Sequence, residues 1–560
     1  MTTIDQAGLP PDDQTTPPAD LTTHAADPAT HAADPAATPG VPEPRQPDAP
    51  DASVPDPSSP GTSPTGTSST GTSSADTSSY PPVSTSGGGR LLLLRLHFYA
   101  GVLVAPFLVV AALTGLAYTI TPQLDRLVYA DELYVDQAGP APRPLAEQVN
   151  AALAAHPEGT FSSVLTGDAP DRTTRVVLNV PDLGDRQRTV YVNPYTSRVQ
   201  GELTTWWGST PLTTWLDDLH RNLHLGAFGR HYSEVAASWL WIIALGGLVL
   251  WLGRRRRARR VRRVLLPDLT ARGRRRTMAW HGSLGVWLLI GLLFLSATGL
   301  TWSRYAGAHF SSALDAADSH TPDLDTALPR AAPAGGIGGI GGSSGIGGEH
   351  EGHTTAGATE TSSSDAAGVD KVDRIIAAAR GAGLDGPVEI TPPAEAGTAW
   401  TVAQTDRRWP VRLDQVAVDP ADARVVNEVR WESWPLLAQL TKIGIAAHMG
   451  ELFGVANQIL LASLAVGLVC VIVWGYRMWW QRRPTRADHA GIVGPAPARG
   501  TWRRVPRPAL VALVLVTAAV GWALPVLGVT LLAFLALDAT AGLVRGRRRQ
   551  RTDGTPAQPA

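Results

Sequence analysis

Long apolar runs alternate with mixed polar segments along the chain. Residues 96–119, 235–252, 280–302 and 452–473 are each almost wholly apolar. Each is about as long as a helix must be to cross roughly 30 Å of hydrocarbon. Two shorter runs, 509–522 and 526–541, meet at Leu524-Pro525 and read as a helical hairpin. Between the first and second runs the pattern changes. Residues 145–155 carry apolar positions at helical spacing, and 163–166, 175–180 and 189–192 read as strands bounded by turn residues. The succession recurs between the third and fourth runs, with a helix at 372–382 and strands at 388–390, 400–403 and 416–418.

Charge orients these elements. The formal net charge is −1, but residues 254–276 hold twelve Arg and one Asp. A basic block between two membrane helices reads as a cytoplasmic loop, not as a nucleic-acid surface, and no nucleic-acid partner is expected. Arg90 and Arg95 flank the first run, Arg477, Arg482, Arg483 and Arg486 follow the fourth, and Arg545 to Arg551 follow the hairpin. Six spans with both termini inside a cytoplasmic membrane satisfy every cluster. The first 89 residues carry eleven acids and one Arg amid Pro, Ser, Thr and Ala, too little apolar content to offset ordering entropy. With no apolar stretch near Met1, a cleaved signal peptide is not expected here. The lone Cys470 excludes an internal disulfide, a Cys-rich metal site and covalent haem attachment through C-x-x-C-H.

The resulting map is a disordered cytoplasmic tail (1–89), span 1 (90–121), an external unit (122–232), span 2 (233–253) and a basic loop (254–277). Span 3 (278–303), a Gly-rich external linker (304–365), a second external unit (366–447) and span 4 (448–476) follow. A cytoplasmic linker (477–508), the hairpin (509–543) and a basic tail (544–560) close the chain. Residues 336–341 match G-x-G-x-x-G, but no strand precedes them and no helix follows, so they carry no dinucleotide site. His350, Glu351 and His353 read as solvated linker.

The succession of helix, soluble unit and helix is an internal repeat. His97 lies four residues before Gly101 and 17 before Thr114-Gly115-Leu116; His281 lies four before Gly285 and 17 before Thr298-Gly299-Leu300. Residues 192–199, VNPYTSRV, align with 418–425, VDPADARV, each a strand, an Asx-Pro turn and a strand. Residues 218–229, DLHRNLHLGAFG, and 445–454, IAAHMGELFG, each place a histidine before a glycine at the mouth of an apolar helix. The expected fold is an α-helical membrane protein of two parallel repeats, each a transmembrane helix, an α+β unit and a transmembrane helix. The repeats form a four-helix bundle, and a C-terminal transmembrane hairpin is added to it.

The pattern L-H-x3-G…A-x-T-G-L, the V-[DN]-P turn, L-H-R-N-L-H-L-G and H-M-G-E-L-F-G together resemble the PepSY-associated transmembrane helix family over about residues 90–483. The resemblance implies that each α+β unit is a PepSY unit. It also implies a link to iron acquisition, since some members are haem-dependent ferric-siderophore reductases.

An ionisable group near hydrocarbon is costly and points to function. Topology puts His97 and His281 near the cytoplasmic face and His220, His224 and His448 near the outer face. The repeat pairs His97 with His281 and His224 with His448. His220, four residues before His224, shares its helix face, so either can be the outer ligand. Two imidazoles from facing helices are what six-coordinate haem iron needs. With no thioether anchor, the cofactor expected is haem b, one in each leaflet. Arg221 can pair a haem propionate. His231, His309 and His320 are expected at the surface, and Thr114 and Thr298 are expected to bond to their own helix backbones.

The leading function is a transmembrane electron conduit that reduces an external ferric chelate or siderophore. No flavin or nicotinamide site is recognisable, so the cytoplasmic electron donor is a separate partner; membrane lipid is the other. The alternatives are a regulator of an external protease and a transporter using intramembrane histidines without haem.

Overall fold

The computed structural model describes residues 87–255, 265–328, 366–482 and 505–553. The 336–341 motif, His350, Glu351, His353, most of the N-terminal tail and Gly-rich linker, and residues 256–264 of the basic loop lie outside them.

The first apolar run is two helices, not one. Helices α1 (Gly87–Leu103) and α2 (Ala105–Thr119) meet at a 54° bend. Pro106 causes it: without an N–H it cannot bond to the carbonyl of Val102, four residues back. The Tyr476 hydroxyl donates to that carbonyl instead, at 2.9 Å. Helices α3 (Leu145–Ala155) and α4 (Pro211–Asn222) flank the first strands. Then come α5 (Gly226–Arg255), α6 (Gly273–Thr301) and α7 (Arg304–Ala316). Helix α8 (Val372–Gly381) opens the second set of strands, and α9 (Leu436–Met449), α10 (Val455–Trp480), α11 (Arg507–Ala523) and α12 (Pro525–Asp553) follow.

Among the described residues, α5, α6, α10 and the first part of α12 are long and apolar enough to cross a membrane, and the bent α1–α2 pair makes a fifth span. Six spans were expected; α11, at 17 residues, is a shorter apolar helix. The protein is a multi-pass membrane protein. Its membrane core joins Ala100, Leu108, Trp239, Leu240, Leu292 and Leu468 from α1, α2, α5, α6 and α10. Helices α6 and α10 approach closely because each offers the other a glycine notch. A Cβ on Gly291 would lie 2.5 Å from Leu464, and one on Gly467 would lie 2.8 Å from Leu288.

The strands form one sheet, a feature the apolar pattern does not disclose. Among the described residues the eight strands are β1 (Thr160–Leu165), β2 (Thr174–Asn179), β3 (Gln187–Val192), β4 (Val199–Thr205), β5 (Val388–Thr391), β6 (Trp400–Gln404), β7 (Gln415–Val418) and β8 (Val425–Val429). They lie in the order β4-β3-β2-β1-β5-β6-β7-β8, with every neighbouring pair antiparallel. The seam is short: Val164 faces Ile390 and Leu165 faces Glu389. It is reinforced by Ser163 Oγ donating to Glu389 at 2.8 Å and the Val388 N–H donating to Thr166 Oγ1 at 2.9 Å. Helices α3 and α8 share one apolar core over the sheet, with Val149, Val164 and Val190 beside Ile375, Ile390 and Val402. Asp373 on α8 accepts the Leu145 N–H at 2.6 Å, capping α3 from the other half. Both Asx turns form: Asn193 Oδ1 accepts the Tyr195 N–H at 2.9 Å, and Asp419 Oδ1 accepts the Ala421 N–H at 2.8 Å.

Candidate functional site

Four of the singled-out histidines come together in two pairs. His97 on α1 and His281 on α6 place their ring centroids 6.4 Å apart, with the planes at 80°. A metal–imidazole bond is about 2 Å long. Two such bonds in line, plus half a ring on each side, span about 6 Å, so the pair is spaced for one metal ion between the rings. His281 Nδ1 donates to the Val471 carbonyl at 2.9 Å. A carbonyl only accepts, so the proton sits on Nδ1 and the lone pair on Nε2. His97 Nδ1 is buried without a hydrogen bond of good geometry, beside the Ile243 carbonyl. Each ring also lies across a glycine four residues beyond that carbonyl. A Cβ on Gly247 would come 3.1 Å from His97 Cε1, and one on Gly475 would come 3.7 Å from His281 Cε1.

The outer pair is His220 on α4 and His448 on α9. His220 Nδ1 lies 2.9 Å from Thr114 Oγ1, and His448 Nδ1 lies 2.6 Å from Thr298 Oγ1. Each threonine has one hydroxyl proton and donates it to its own helix, to Val110 O and Phe294 O, both at 2.8 Å. Each therefore accepts from the imidazole, which again leaves Nε2 free. The threonines do bond to their own helices, as expected, and orient a histidine as well. Burial pushes the His220 imidazole down to about 4. Burial, and then the neighbouring His220, push His448 down to about 3. Both are thus neutral at pH 7, the form that ligates metals. The ring of Trp302 packs against His448 at 5.2 Å.

His224 takes a different place. Leu223 and His224 both adopt left-handed backbone angles, φ 56°, which ends α4 and turns the next side chain away. His224 is exposed and packs against Trp215, with the ring centroids 4.9 Å apart and the planes tilted by 34°. The residue matched to His448 by its Thr-Gly contact is thus His220, although the H-L-G and H-M-G motifs align on His224. Arg221 forms ion pairs with Asp218 at 3.2 Å and Asp217 at 3.6 Å, and lies 5.3 Å above the Trp206 ring. Of the other three, His231 bonds to the Ala227 carbonyl, His309 bonds to the Ala523 carbonyl and stacks on Trp522, and His320 pairs with Asp315.

Among the described residues no group of three or more His, Cys, Asp or Glu converges as a metal site. Two imidazoles alone cannot satisfy a free cation such as zinc, which takes four ligands. They do complete an iron whose other four positions are filled by a porphyrin. The glycine notches, the free Nε2 atoms and the neutral outer rings all suit that group. The pairs lie at different depths. Along the unbroken α6, the 17 residues from His281 to Thr298 span roughly 25 Å. Sequence reasoning missed the partners that set the rings, namely Ile243, Val471, Gly247 and Gly475. One signal was available: each glycine stands four residues after its carbonyl residue in the second helix of its half.

No curated protein matches the chain. Among protein families, the model of the PepSY-associated TM region matches residues 94–482. That match takes in all four histidines and both sets of strands, and the chain belongs to this family.

Proposed function

We propose that the protein carries electrons across the cytoplasmic membrane to an external ferric chelate or siderophore, using two b-type haems. His97 and His281 hold the inner haem, and His220 and His448 the outer. When bound, each haem supplies a one-electron redox centre. The observation that carries the reading is the repetition of one arrangement at two depths: paired histidines with Nδ1 turned to a neighbouring acceptor and Nε2 free.

The chain's own residues supply position and polarity. Val471, Thr114 and Thr298 fix the ring orientation and keep the ligand nitrogens unprotonated. Apolar side chains of the membrane core pack the helices that carry the pairs. The matched contacts of the two halves support a parallel repeat, with the Arg-rich ends of the helices inside and the sheet outside. Each ferric ion reduced takes one electron from a separate cytoplasmic donor. Reduction to Fe(II) weakens hard oxygen ligation and frees the metal.

The test is a purified sample and a vesicle. Protein made with adequate haem should show a Soret band and two haems per chain. In liposomes with a reductant inside, Fe(II) should form outside from a ferric siderophore. A colourless protein, or a haem-loaded one that passes no electron, refutes the reading.

A further inference from the structure

The two histidines of the inner pair stand on unlike helices. His281 stands on the continuous α6, but His97 stands on α1, which the bend at Val104 disconnects from α2. Pro106 removes one bond from the ladder there, although the Val104 N–H still donates to Ala100 at 2.8 Å and the Leu108 N–H to Val104 at 3.1 Å, so the rest of the span holds the rotation of α1 less firmly than an unbroken helix would. Contacts from other helices then matter more for its setting. One such contact comes from the C-terminal hairpin, which lies beyond the family match at residue 482.

Arg95 is 7% exposed and places Nη2 2.6 Å from both carboxylate oxygens of Asp538 on α12. Its guanidinium lies 5.4 Å from the Tyr99 ring, and Tyr99 packs at 5.4 Å on Phe534, one turn before Asp538. Arg95 and His97 are two residues apart, so their side chains leave α1 about 200° apart. The ion pair therefore grips the side of α1 opposite the histidine. The hairpin is itself anchored in the core: Leu527 is 2% exposed, and Trp239 Nε1 donates to Thr530 Oγ1 at 2.9 Å. A carboxylate in an apolar span is costly and is kept in place by its partner.

We infer that Asp538 is a positioning residue for the inner centre. Through Arg95 it sets the rotation and depth of α1 and so the separation of His97 from His281. The inference rests on the proposed function for its consequence, but the positioning itself can be read without any haem.

Spin labels at Gly89→Cys and Arg275→Cys, in the full chain carrying Cys470→Ser, report the distance between the cytoplasmic ends of α1 and α6. The parent should give one narrow distance. Asp538→Asn should lose it, giving a broad or shifted distribution, and the reversed pair Arg95→Asp with Asp538→Arg should restore it. Phe534→Ala, a milder change, should broaden it less. In haem-loaded protein, Asp538→Asn should alter the low-spin signature of the inner haem and leave the outer one as it was. An unchanged distance in Asp538→Asn and Phe534→Ala overturns the positioning role, as does a reversed pair that folds without restoring it. If the distance responds but the parent holds no haem, the clamp stands and the electron-conduit reading falls.

Discussion

Thr298→Val removes a hydroxyl while keeping the side-chain shape, and with it the acceptor 2.6 Å from His448 Nδ1. The ring N–H then loses its protein partner in a part-buried site. An unsatisfied buried donor costs about 1–3 kcal/mol. At 1.4 kcal/mol per factor of ten, that is a roughly 5- to 140-fold weaker outer site. Replacing partners that orient metal-bound histidines costs about 10- to 100-fold elsewhere, so the two estimates agree. The assay is the rate and extent of haem transfer from detergent-solubilised protein to an excess of a haem-accepting globin, followed optically. Thr298→Val should release the outer haem faster and leave the inner haem's release unchanged. Thr298→Ser, which keeps the hydroxyl, should behave like the parent. Equal release from Thr298→Val and the parent would show that the threonine does not orient a ligand.

Other outcomes follow from the same geometry. His97→Ala and His281→Ala should each remove the inner haem alone, and His220→Ala and His448→Ala the outer alone, while His224→Ala keeps both; haem-to-protein ratios and spectra decide. In haem-free protein, His220 and His448 have pKa values in the fold below the ordinary 6.5. The unfolded chain therefore binds more protons as pH falls, and stability, complete above about 6.5, should drain away towards pH 4. Thermal unfolding at stepped pH should show this, with a shallower loss in His220→Gln. Glu234 on α5 is 1% exposed and accepts the Ala306 N–H at 3.1 Å at the start of α7. Glu234→Ala should cost about 1–2 kcal/mol by the loss of that cap, read as a lower denaturant midpoint. With Cys470 replaced, a cysteine at Asp182 should react with an impermeant reagent in intact cells, and one at Arg272 should not.

Much of this was legible because it is periodic or charged. Apolar runs located the helices, and the matching spacings from His97 and His281 located both ends of the site. Asn193 and Asp419 marked their turns because the side chain itself makes the bond. What depended on distant contact stayed hidden. The seam between β1 and β5 joins residues more than 200 positions apart, and no local pattern records it. The choice of His220 over His224 turned on the backbone angles of Leu223 and His224, which residue type does not dictate. Pro106 was visible, but a proline inside an apolar run gives no sign of whether the helix continues past it.

The joined sheet constrains motion. Its edge strands, β4 and β8, lead into α4 and α9, which carry His220 and His448. Seven inter-strand gaps of about 4.8 Å separate those edges by roughly 34 Å, yet the two histidines are neighbours. The sheet thus acts as a yoke from which both outer histidines hang. Cargo transport by rocking one half of a protein against the other would have to tear the yoke at Val164–Ile390 and Leu165–Glu389. An electron needs no such opening, and a braced frame that keeps the histidine pairs at constant spacing suits the proposed electron transfer better than it suits a cargo.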